Sequence, residues 1–286
     1  MDRGLALQGK GDPARALEDY NQAISLQPEL ALAYFHRGLA FGEMGDPTHA
    51  IPDFTQAISL QPDLPEAYSN RGLACFFSGD PERALADFDQ AIQLDPDFPE
   101  LYNGRGLAYS AMGDYDRAIA DSTRAISLRP DFAGAYYYRG VAYASQGDCQ
   151  QAIPDFGQAI ALGPAFPGAY ALRGHACIEI GHYDLAAADF GWVIEHNPYD
   201  AAAYNSRCWA HFKAGRSEQA LPDCEKSLEV APDFVHALDS RARVYLALGR
   251  LEDAVFDFEH IIELGSEPEL YRQAAEELSR ISLPGD

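Results

Sequence analysis

Glycine and proline recur along the chain at a fixed spacing of 34 residues, which leaves few folds open. One column contains Gly11, Gly45, Gly79, Gly113, Gly147, Gly181, Gly215 and Gly249, and another contains Pro28, Pro62, Pro96, Pro130, Pro164, Pro198 and Pro232. Columns of arginine, alanine and aspartate with the same spacing begin at Arg3, Ala16 and Asp19. A constant period of this length, without insertions, predicts a solenoid in which each repeat packs against its neighbours.

We number the positions of a repeat from 1 to 34 and assign position 1 to Ala31. The predicted repeats are residues 1–30, 31–64, 65–98, 99–132, 133–166, 167–200, 201–234 and 235–268. The first repeat lacks its first helical turn, which suggests either a domain cut from a longer chain or a frayed start. Residues 269–286 are off phase and amphipathic up to residue 282, so we expect a C-terminal capping helix and a tail.

Two helices are predicted in each repeat. Proline is absent from positions 2 to 14, and the glycine at position 15 suits a left-handed helix end. Aspartates such as Asp46 follow at position 16, where they can cap a second helix that the proline at position 32 ends. Pro52, Pro154 and Pro222 fall inside that helix, so we expect a local bend or a late helix start there. The predicted fold class is all-α.

Further columns carry a family resemblance: tyrosine at position 4, glycine at position 8, alanine at positions 20 and 27, and phenylalanine at position 24. With the Arg-Gly-x-Ala, Gly-Asp and Ala-Asp-Phe runs of bacterial members, the chain resembles the tetratricopeptide repeat (TPR) family over eight repeats. The resemblance implies antiparallel helix pairs stacked into a right-handed superhelix, with the first helices on the concave side. It also implies a protein-protein interaction scaffold that binds a peptide segment in the concave groove.

Arginine occupies position 7 and aspartate position 23 of every repeat, as in Arg71 and Asp87. These positions lie on the flanks of the two helices of one repeat, so we expect an ion pair in each. Removing one partner of such a partly buried pair leaves the other charge partly buried without a partner. The column is therefore predicted to be structural.

Charge and composition narrow the class of protein. Lysine and arginine total 21 against 44 aspartates and glutamates, and the net charge of −23 disfavours nucleic acid. The sequence contains neither a stretch of about 20 apolar residues nor a signal peptide, so we expect a cytoplasmic protein without a membrane partner. Five scattered cysteines fit a reducing compartment. Cys208 and Cys224 fall close together in one repeat and are expected to be reduced thiols.

No catalytic or metal-binding motif is present, so the sequence predicts neither an enzyme nor a cofactor. Positions 2, 5, 6, 9, 12 and 13 lie opposite the packing side of the first helix and are rich in aromatic residues. The candidate peptide-binding residues there are Phe35, Leu39, Asn70, Phe76, Phe77, Asn103, Tyr137, Tyr138, His175, Asn205, Trp209 and Phe212. In a tight superhelix, facing helices would instead shield part of this aromatic stripe.

Two binding modes of the family are not matched by these residues. Asn70 fits the middle asparagine of the dicarboxylate clamp, but the flanking basic residues are missing. An asparagine ladder at position 6 is also missing. The net charge therefore favours a neutral or basic protein or peptide partner. The alternative is a self-assembling or structural module, in which the truncated first repeat pairs either with a repeat end of another copy or with further N-terminal repeats of a larger protein.

Overall fold

The computed structural model of the chain describes residues 1–163, 167–265 and 268–280, and these ranges form helices and short loops without a strand. The described helices include none that is long and apolar enough to cross a bilayer. The chain divides into two compact units, an N-terminal unit, Met1–Gln146, and a C-terminal unit, Gly147–Asp286. Pro164, the predicted repeat boundary at residue 166 and the tail after residue 280 lie outside the described residues.

The N-terminal unit consists of nine helices. Their bounds are α1 Asp2–Gln8, α2 Pro13–Leu26, α3 Ala31–Glu43, α4 Pro47–Leu60, α5 Pro65–Phe77, α6 Pro81–Leu94, α7 Pro99–Ala111, α8 Tyr115–Leu128 and α9 Ala133–Ser145. In its complete pairs, the first helix has 13 residues and the second has 14. The predicted two helices per repeat and the all-α fold class are confirmed.

The C-terminal unit continues the same alternation. Its described helices are α10 Cys149–Leu162, α11 Pro167–Glu179, α12 Tyr183–His196, α13 Ala201–Lys213, α14 Ser217–Val230, α15 Val235–Ala247, α16 Leu251–Leu264 and α17 Pro268–Arg280. On α17, Leu270 and Leu278 pack against the core of the last pair, and the buried Ala274 lies between them in sequence. Arg272 forms ion pairs with Glu269 and Glu276 of the same helix, so α17 presents both an apolar and a charged face.

Helix ends follow the predicted capping chemistry. The glycines at position 15 adopt left-handed φ angles, such as 71° at Gly45 and 83° at Gly79. Directly after Gly45, the carboxylate of Asp46 accepts a hydrogen bond of 3.2 Å from the backbone N–H of His49. Asp12, Asp80, Asp114 and Asp148 cap their helices in the same way. These local signals set where these five second helices begin.

Three second helices contain an internal proline. Pro52, Pro154 and Pro222 lie inside α4, α10 and α14, which begin at the same repeat position as α6, a helix with no proline after its first residue. The predicted late helix start is therefore wrong, and the local bend stays a prediction. Each proline removes one backbone hydrogen bond. The packed apolar face holds the helix despite that loss, and in α4 and α10 the aspartate cap also contributes.

The helices of each unit form two layers. In the N-terminal unit α3 contacts α5, α5 contacts α7 and α7 contacts α9, and in the C-terminal unit α11, α13, α15 and α17 contact one another in succession. Successive second helices make no comparable contact within the described residues. Because the first helices approach one another more closely, they lie on the inner side of each unit.

The core depends on small residues that allow close helix approach. The alanines at position 20, such as Ala50 and Ala84, are fully buried. Gly38 of α3 faces the buried ring of Phe54 on α4 so closely that an added Cβ would lie 2.8 Å from Phe54 Cε1. Gly174 and Phe190 repeat this contact in the C-terminal unit, with a corresponding distance of 2.9 Å. The predicted packing role of these columns is confirmed.

The arginine column forms the predicted ion pairs. Arg71 donates hydrogen bonds of 2.8 and 2.6 Å from Nε and Nη2 to the two carboxylate oxygens of the buried Asp87. The same arrangement joins Arg3 to Asp19, Arg37 to Asp53, Arg105 to Asp121, Arg173 to Asp189, Arg207 to Asp223 and Arg241 to Asp257. These contacts link the two helices of one pair.

The cysteines depart from expectation at one place. Cys208 of α13 and Cys224 of α14 form a disulfide with a Cα–Cα distance of 5.5 Å, so the prediction of two reduced thiols is wrong. Their spacing of 16 residues equals that of the arginine and aspartate columns, which brings the facing sides of a helix pair together. Cys75, Cys149 and Cys177 are free thiols.

Candidate functional site

The inner face of the N-terminal unit contains an open, mostly apolar pocket. It has a volume of about 600 Å³ and is lined by Leu39, Gly42, Glu43, Gly45, Pro47, Phe54, Asn70, Leu73, Ala74 and Phe77. Phe77 is the last residue of α5, and 74% of its surface is exposed because the chain turns away directly after it. A large exposed ring beside an apolar pocket is a typical feature of an interaction surface.

Polar groups at this pocket are few. The carboxylate of Glu43 accepts a hydrogen bond of 2.8 Å from Gln8, and the Asn70 amide nitrogen donates one of 2.8 Å to the Glu66 carbonyl. Leu39 and Leu73 are half-buried, so their side chains form part of the pocket wall while also packing inside the unit. The pocket therefore offers space for a bulky apolar group with polar atoms at its edge.

Several of the predicted aromatic residues are half-buried and serve packing. The ring of Phe35 lies 6.0 Å from that of Phe54, and Phe76 packs against the core cluster that contains Phe88. The rings of Tyr137 and Tyr138 lie 5.2 Å apart in an edge-to-face contact. Exposed and half-buried aromatic rings therefore lie on the same face.

Asn103 of α7 belongs to the predicted face and shows an unusual environment. Its side chain is half-buried, and its amide oxygen is fully buried without a hydrogen-bond partner. A buried acceptor without a partner costs free energy, so such groups merit attention as ligand contacts. Asn103 does not line the pocket of about 600 Å³, which places it apart from Leu39 and Phe77.

The inner face of the C-terminal unit contains a second pocket of different character. It has a volume of about 320 Å³ and is lined by His175, Ile178 and Glu179 of α11, Asn205, Ser206 and Trp209 of α13, and His236, Asp239 and Ser240 of α15. Most of these side chains carry a polar atom. Three consecutive first helices thus contribute to one polar pocket with an indole in its wall.

Charges in this second pocket are unevenly compensated. Asp239 forms an ion pair of 2.8 Å with Arg243, whereas the carboxylate of Glu179 has no hydrogen bond or ion pair within the described part of the chain. The ring of His175 lies 5.0 Å from that of Phe190, and desolvation lowers the pKa of His175 although the charge of Glu179 acts against this shift. The uncharged form of His175 is therefore favoured near neutral pH.

The remaining predicted residues of the C-terminal unit surround the indole. Phe212 packs against the buried cluster that contains Cys208 and Cys224, and its ring lies 5.3 Å from that of Trp209. The amide oxygen of Asn205 is buried and has no hydrogen-bond partner. The Lys213 ammonium lies 5.6 Å from the centre of the indole ring.

Sequence reasoning missed several pocket residues because it selected by residue type. Ile178, Glu179, His236, Asp239 and Ser240 were not predicted, yet each occupies one of the positions 2, 5, 6, 12 and 13 of the open face. The position in the repeat was therefore the available signal. Among the residues that the structure describes, no group of three His, Cys, Asp or Glu side chains is placed to hold a metal ion.

Family models match the chain over most of its length. Models described as TPR repeat or tetratricopeptide repeat match residues 4–45 and 72–113, residues 103–170, residues 31–64 and 201–234, and residues 235–265. The chain is a tetratricopeptide repeat protein. TPR domains typically mediate protein-protein interactions, and TPR scaffolds are generally not catalytic. No curated protein matches this TPR chain in sequence.

Several solved structures resemble the chain. MamA, whose crystal structure has been solved, is 29% identical with a TM-score of 0.52. The match covers 57% of this chain and 95% of the MamA chain. YrrB, described as a TPR protein with an unusual peptide-binding site, is 25% identical with a TM-score of 0.60. The match covers 66% of this chain and 97% of YrrB. PilF of Pseudomonas aeruginosa is 15% identical, with a TM-score of 0.65. The match covers 74% of this chain and 96% of PilF, and at this identity it shows the fold alone.

Proposed function

We propose that this TPR protein is a non-catalytic scaffold that binds a peptide segment of a partner protein on the inner faces of its two units. The observation that carries the proposal is the apolar pocket of about 600 Å³ beside the exposed ring of Phe77. Large rigid aromatic side chains in such places dominate the energetics of protein interfaces. A bulky apolar side chain of the partner would fill the pocket and cover this ring.

The partner is expected to be a neutral or basic segment. A net charge of −23 repels acidic ligands and attracts basic ones over distances of about one Debye length, or 8 Å at physiological salt. YrrB, which is 25% identical, supports a peptide as the ligand because its structure is described with a peptide-binding site. The contact residues that we propose are those named in the sequence analysis, together with the pocket-lining residues of each unit.

A cytoplasmic location forms part of the same proposal, and the cysteines bear on it in opposite ways. Free thiols at Cys75, Cys149 and Cys177 fit a reducing compartment. The disulfide between Cys208 and Cys224 is more typical of an oxidising one. Mass spectrometry of the protein isolated from cells under acid quench would determine whether this disulfide exists there.

The proposal is tested with peptides selected from a random phage-displayed library on the immobilised chain. Phe77→Ala is compared with Phe256→Ala, because Phe256 is also exposed, at 66%, but lies on the second helix α16. We expect Phe77→Ala to weaken binding of selected peptides by about 30-fold, the equivalent of roughly 2 kcal/mol, and Phe256→Ala to have no effect.

Fluorescence anisotropy of labelled peptides gives both dissociation constants, and circular dichroism checks that the two variants remain folded. Equal affinities for Phe77→Ala, Phe256→Ala and the unchanged chain would contradict binding at the N-terminal pocket. Failure to select any peptide from the library would contradict the proposed function as a whole.

A further inference from the structure

The pocket formed by α11, α13 and α15 carries an uncompensated negative charge. Asp239 is neutralised by Arg243 at 2.8 Å, but Glu179 has no cationic partner in the described residues. The favoured uncharged form of His175 does not compensate it. A bound group with a positive charge would therefore gain a favourable electrostatic interaction, whereas a carboxylate would be repelled.

Trp209 adds a further feature that suits a cation. An indole ring attracts cations over its face, and Lys213 already lies 5.6 Å from the centre of the Trp209 ring. An apolar side chain in the pocket would gain neither this attraction nor the interaction with the Glu179 carboxylate.

The N-terminal pocket has neither of these features. Its one lining carboxylate, Glu43, accepts a hydrogen bond from Gln8. Its walls are formed by Leu39, Leu73, Phe54 and Phe77, without an indole. The two pockets therefore favour different side chains of a ligand.

We infer that the pocket of the C-terminal unit binds a lysine or arginine side chain of a peptide segment, an inference that rests on the proposed function. The side-chain N–H groups donate to the Glu179 carboxylate, and the cation contacts the Trp209 indole. Charge, hydrogen-bonding capacity and the aromatic wall together select this class of side chain over neutral and acidic ones.

The test uses acetylated and amidated pentapeptides Gly-Gly-X-Gly-Gly, in which X is lysine, arginine, glutamine or glutamate. The indole N–H signal of Trp209 is followed by NMR during titration. Trp192 provides an internal reference, because its ring is stacked between Tyr170 at 3.9 Å and His196 at 3.8 Å. Trp192→Phe assigns the two signals.

The lysine and arginine peptides are expected to shift the Trp209 signal with saturation in the millimolar range, while the Trp192 signal stays in place. The glutamine peptide is expected to bind about tenfold more weakly, equivalent to one lost charged contact, and the glutamate peptide not to bind. Glu179→Gln should reduce the affinity for the cationic peptides about fivefold to tenfold.

Glu225→Gln is the control, since Glu225 is exposed on the second helix α14, lines neither pocket, and its substitution changes the net charge equally. It should leave the affinity for the cationic peptides unchanged, and circular dichroism checks the fold of both variants. Equal affinity for the lysine and glutamine peptides, equal effects of Glu179→Gln and Glu225→Gln, or no shift of Trp209 with any peptide would overturn the inference.

The outcome separates this inference from the proposed function. If selected peptides lose affinity on Phe77→Ala while the lysine peptide fails to shift Trp209, the scaffold proposal stands and the cation pocket is wrong. If the lysine peptide shifts Trp209 but no library peptide depends on Phe77, the cation pocket stands and the proposed role of the N-terminal pocket fails.

Discussion

Glycine at position 8 matters because of the ring that faces it across the helix pair. A Cβ added at Gly38 would lie 2.8 Å from Cε1 and 3.0 Å from Cδ1 of Phe54, which is buried and held by its neighbours. Gly42 lies one turn further along α3, and a Cβ there would meet no atom within 4 Å. One helix thus contains a glycine needed for packing and a glycine with open space beside it.

Gly38→Ala is therefore expected to lower the free energy of unfolding by about 1 to 3 kcal/mol, because the buried ring must shift. Gly42→Ala should raise it by up to about 1 kcal/mol, because alanine favours the helix and no neighbour is displaced. Urea denaturation followed by circular dichroism measures both changes. Equal or same-sign changes would show that the contact between Gly38 and Phe54 does not limit the packing.

Arginine at position 7 contacts more than its predicted partner. In addition to Asp87, Arg71 donates a hydrogen bond of 3.2 Å from Nη1 to Thr55 of the preceding helix pair, and its guanidinium lies 5.7 Å from the Tyr68 ring centre. Arg37 reaches Asn21, and Arg105 reaches Asp89, in the same way. The pair with aspartate was predictable from the columns, whereas the second contact was not, because its acceptors differ in residue type.

Arg71→Ala is expected to destabilise the protein by roughly 3 kcal/mol, because it leaves the carboxylate of Asp87 buried without a partner. Arg83→Ala serves as the control, since Arg83 is exposed and its Nε lies 3.8 Å from Asp80. We expect a change below about 1 kcal/mol for this surface pair. Thermal denaturation compares the two variants, and equal shifts in Tm would argue that the buried pair is not structural.

At the scale of helices, the sequence predicted the boundaries well because the signals are local. A left-handed glycine, a capping aspartate and a proline at the first helical position each determine where a helix ends or begins. The late helix start predicted from Pro52 was wrong, because the packed face of α4 outweighs the one hydrogen bond that this proline removes. Exposure of individual rings, such as Phe77 against Phe35, depends on neighbouring helices and could not be predicted from position alone.

One helix pair of the C-terminal unit carries a covalent link that the other described pairs lack. The disulfide between Cys208 and Cys224 joins α13 to α14 and closes a segment with a sequence separation of 16 residues. Such a link reduces the conformational freedom of the unfolded chain. It is also adjacent in sequence to Trp209, whose position depends on α13.

Reduction of this disulfide is expected to lower the free energy of unfolding by about 3 kcal/mol, the value typical of a loop of this length. The measurement is urea denaturation with and without a phosphine reductant. A double variant, Cys208→Ala with Cys224→Ala, should show no response to the reductant, although it also loses packing in the core. An unchanged midpoint for the natural chain on reduction would show that the link adds no stability.

For the molecule as a whole, the dominant property is its acidity. A net charge of −23 on 286 residues produces self-repulsion that opposes folding, while the pairs between arginine and buried aspartate are shielded from solvent ions. Salt should therefore weaken the repulsion more than it weakens these attractions. The prediction concerns stability and is independent of any ligand.

Raising sodium chloride from 10 to about 300 mM is expected to increase Tm by a few degrees, because the Debye length falls from about 30 Å to below 8 Å. Differential scanning calorimetry measures the shift. Potassium chloride should give the same increase, since ionic strength and not ion identity is the cause. A lower Tm at high salt would mean that exposed attractions outweigh the repulsion.

Arg37, Arg71 and Arg105 each bind the aspartate of their own helix pair and also a side chain of the preceding pair. The contacts between successive pairs of the N-terminal unit are therefore chemically alike. Recombination that removes or duplicates a whole multiple of 34 residues would rejoin matching ends. The shortened or lengthened protein would therefore still have a packed hydrophobic core. Natural selection could then alter inward-facing side chains one hairpin at a time, so new recognition need not await a new fold.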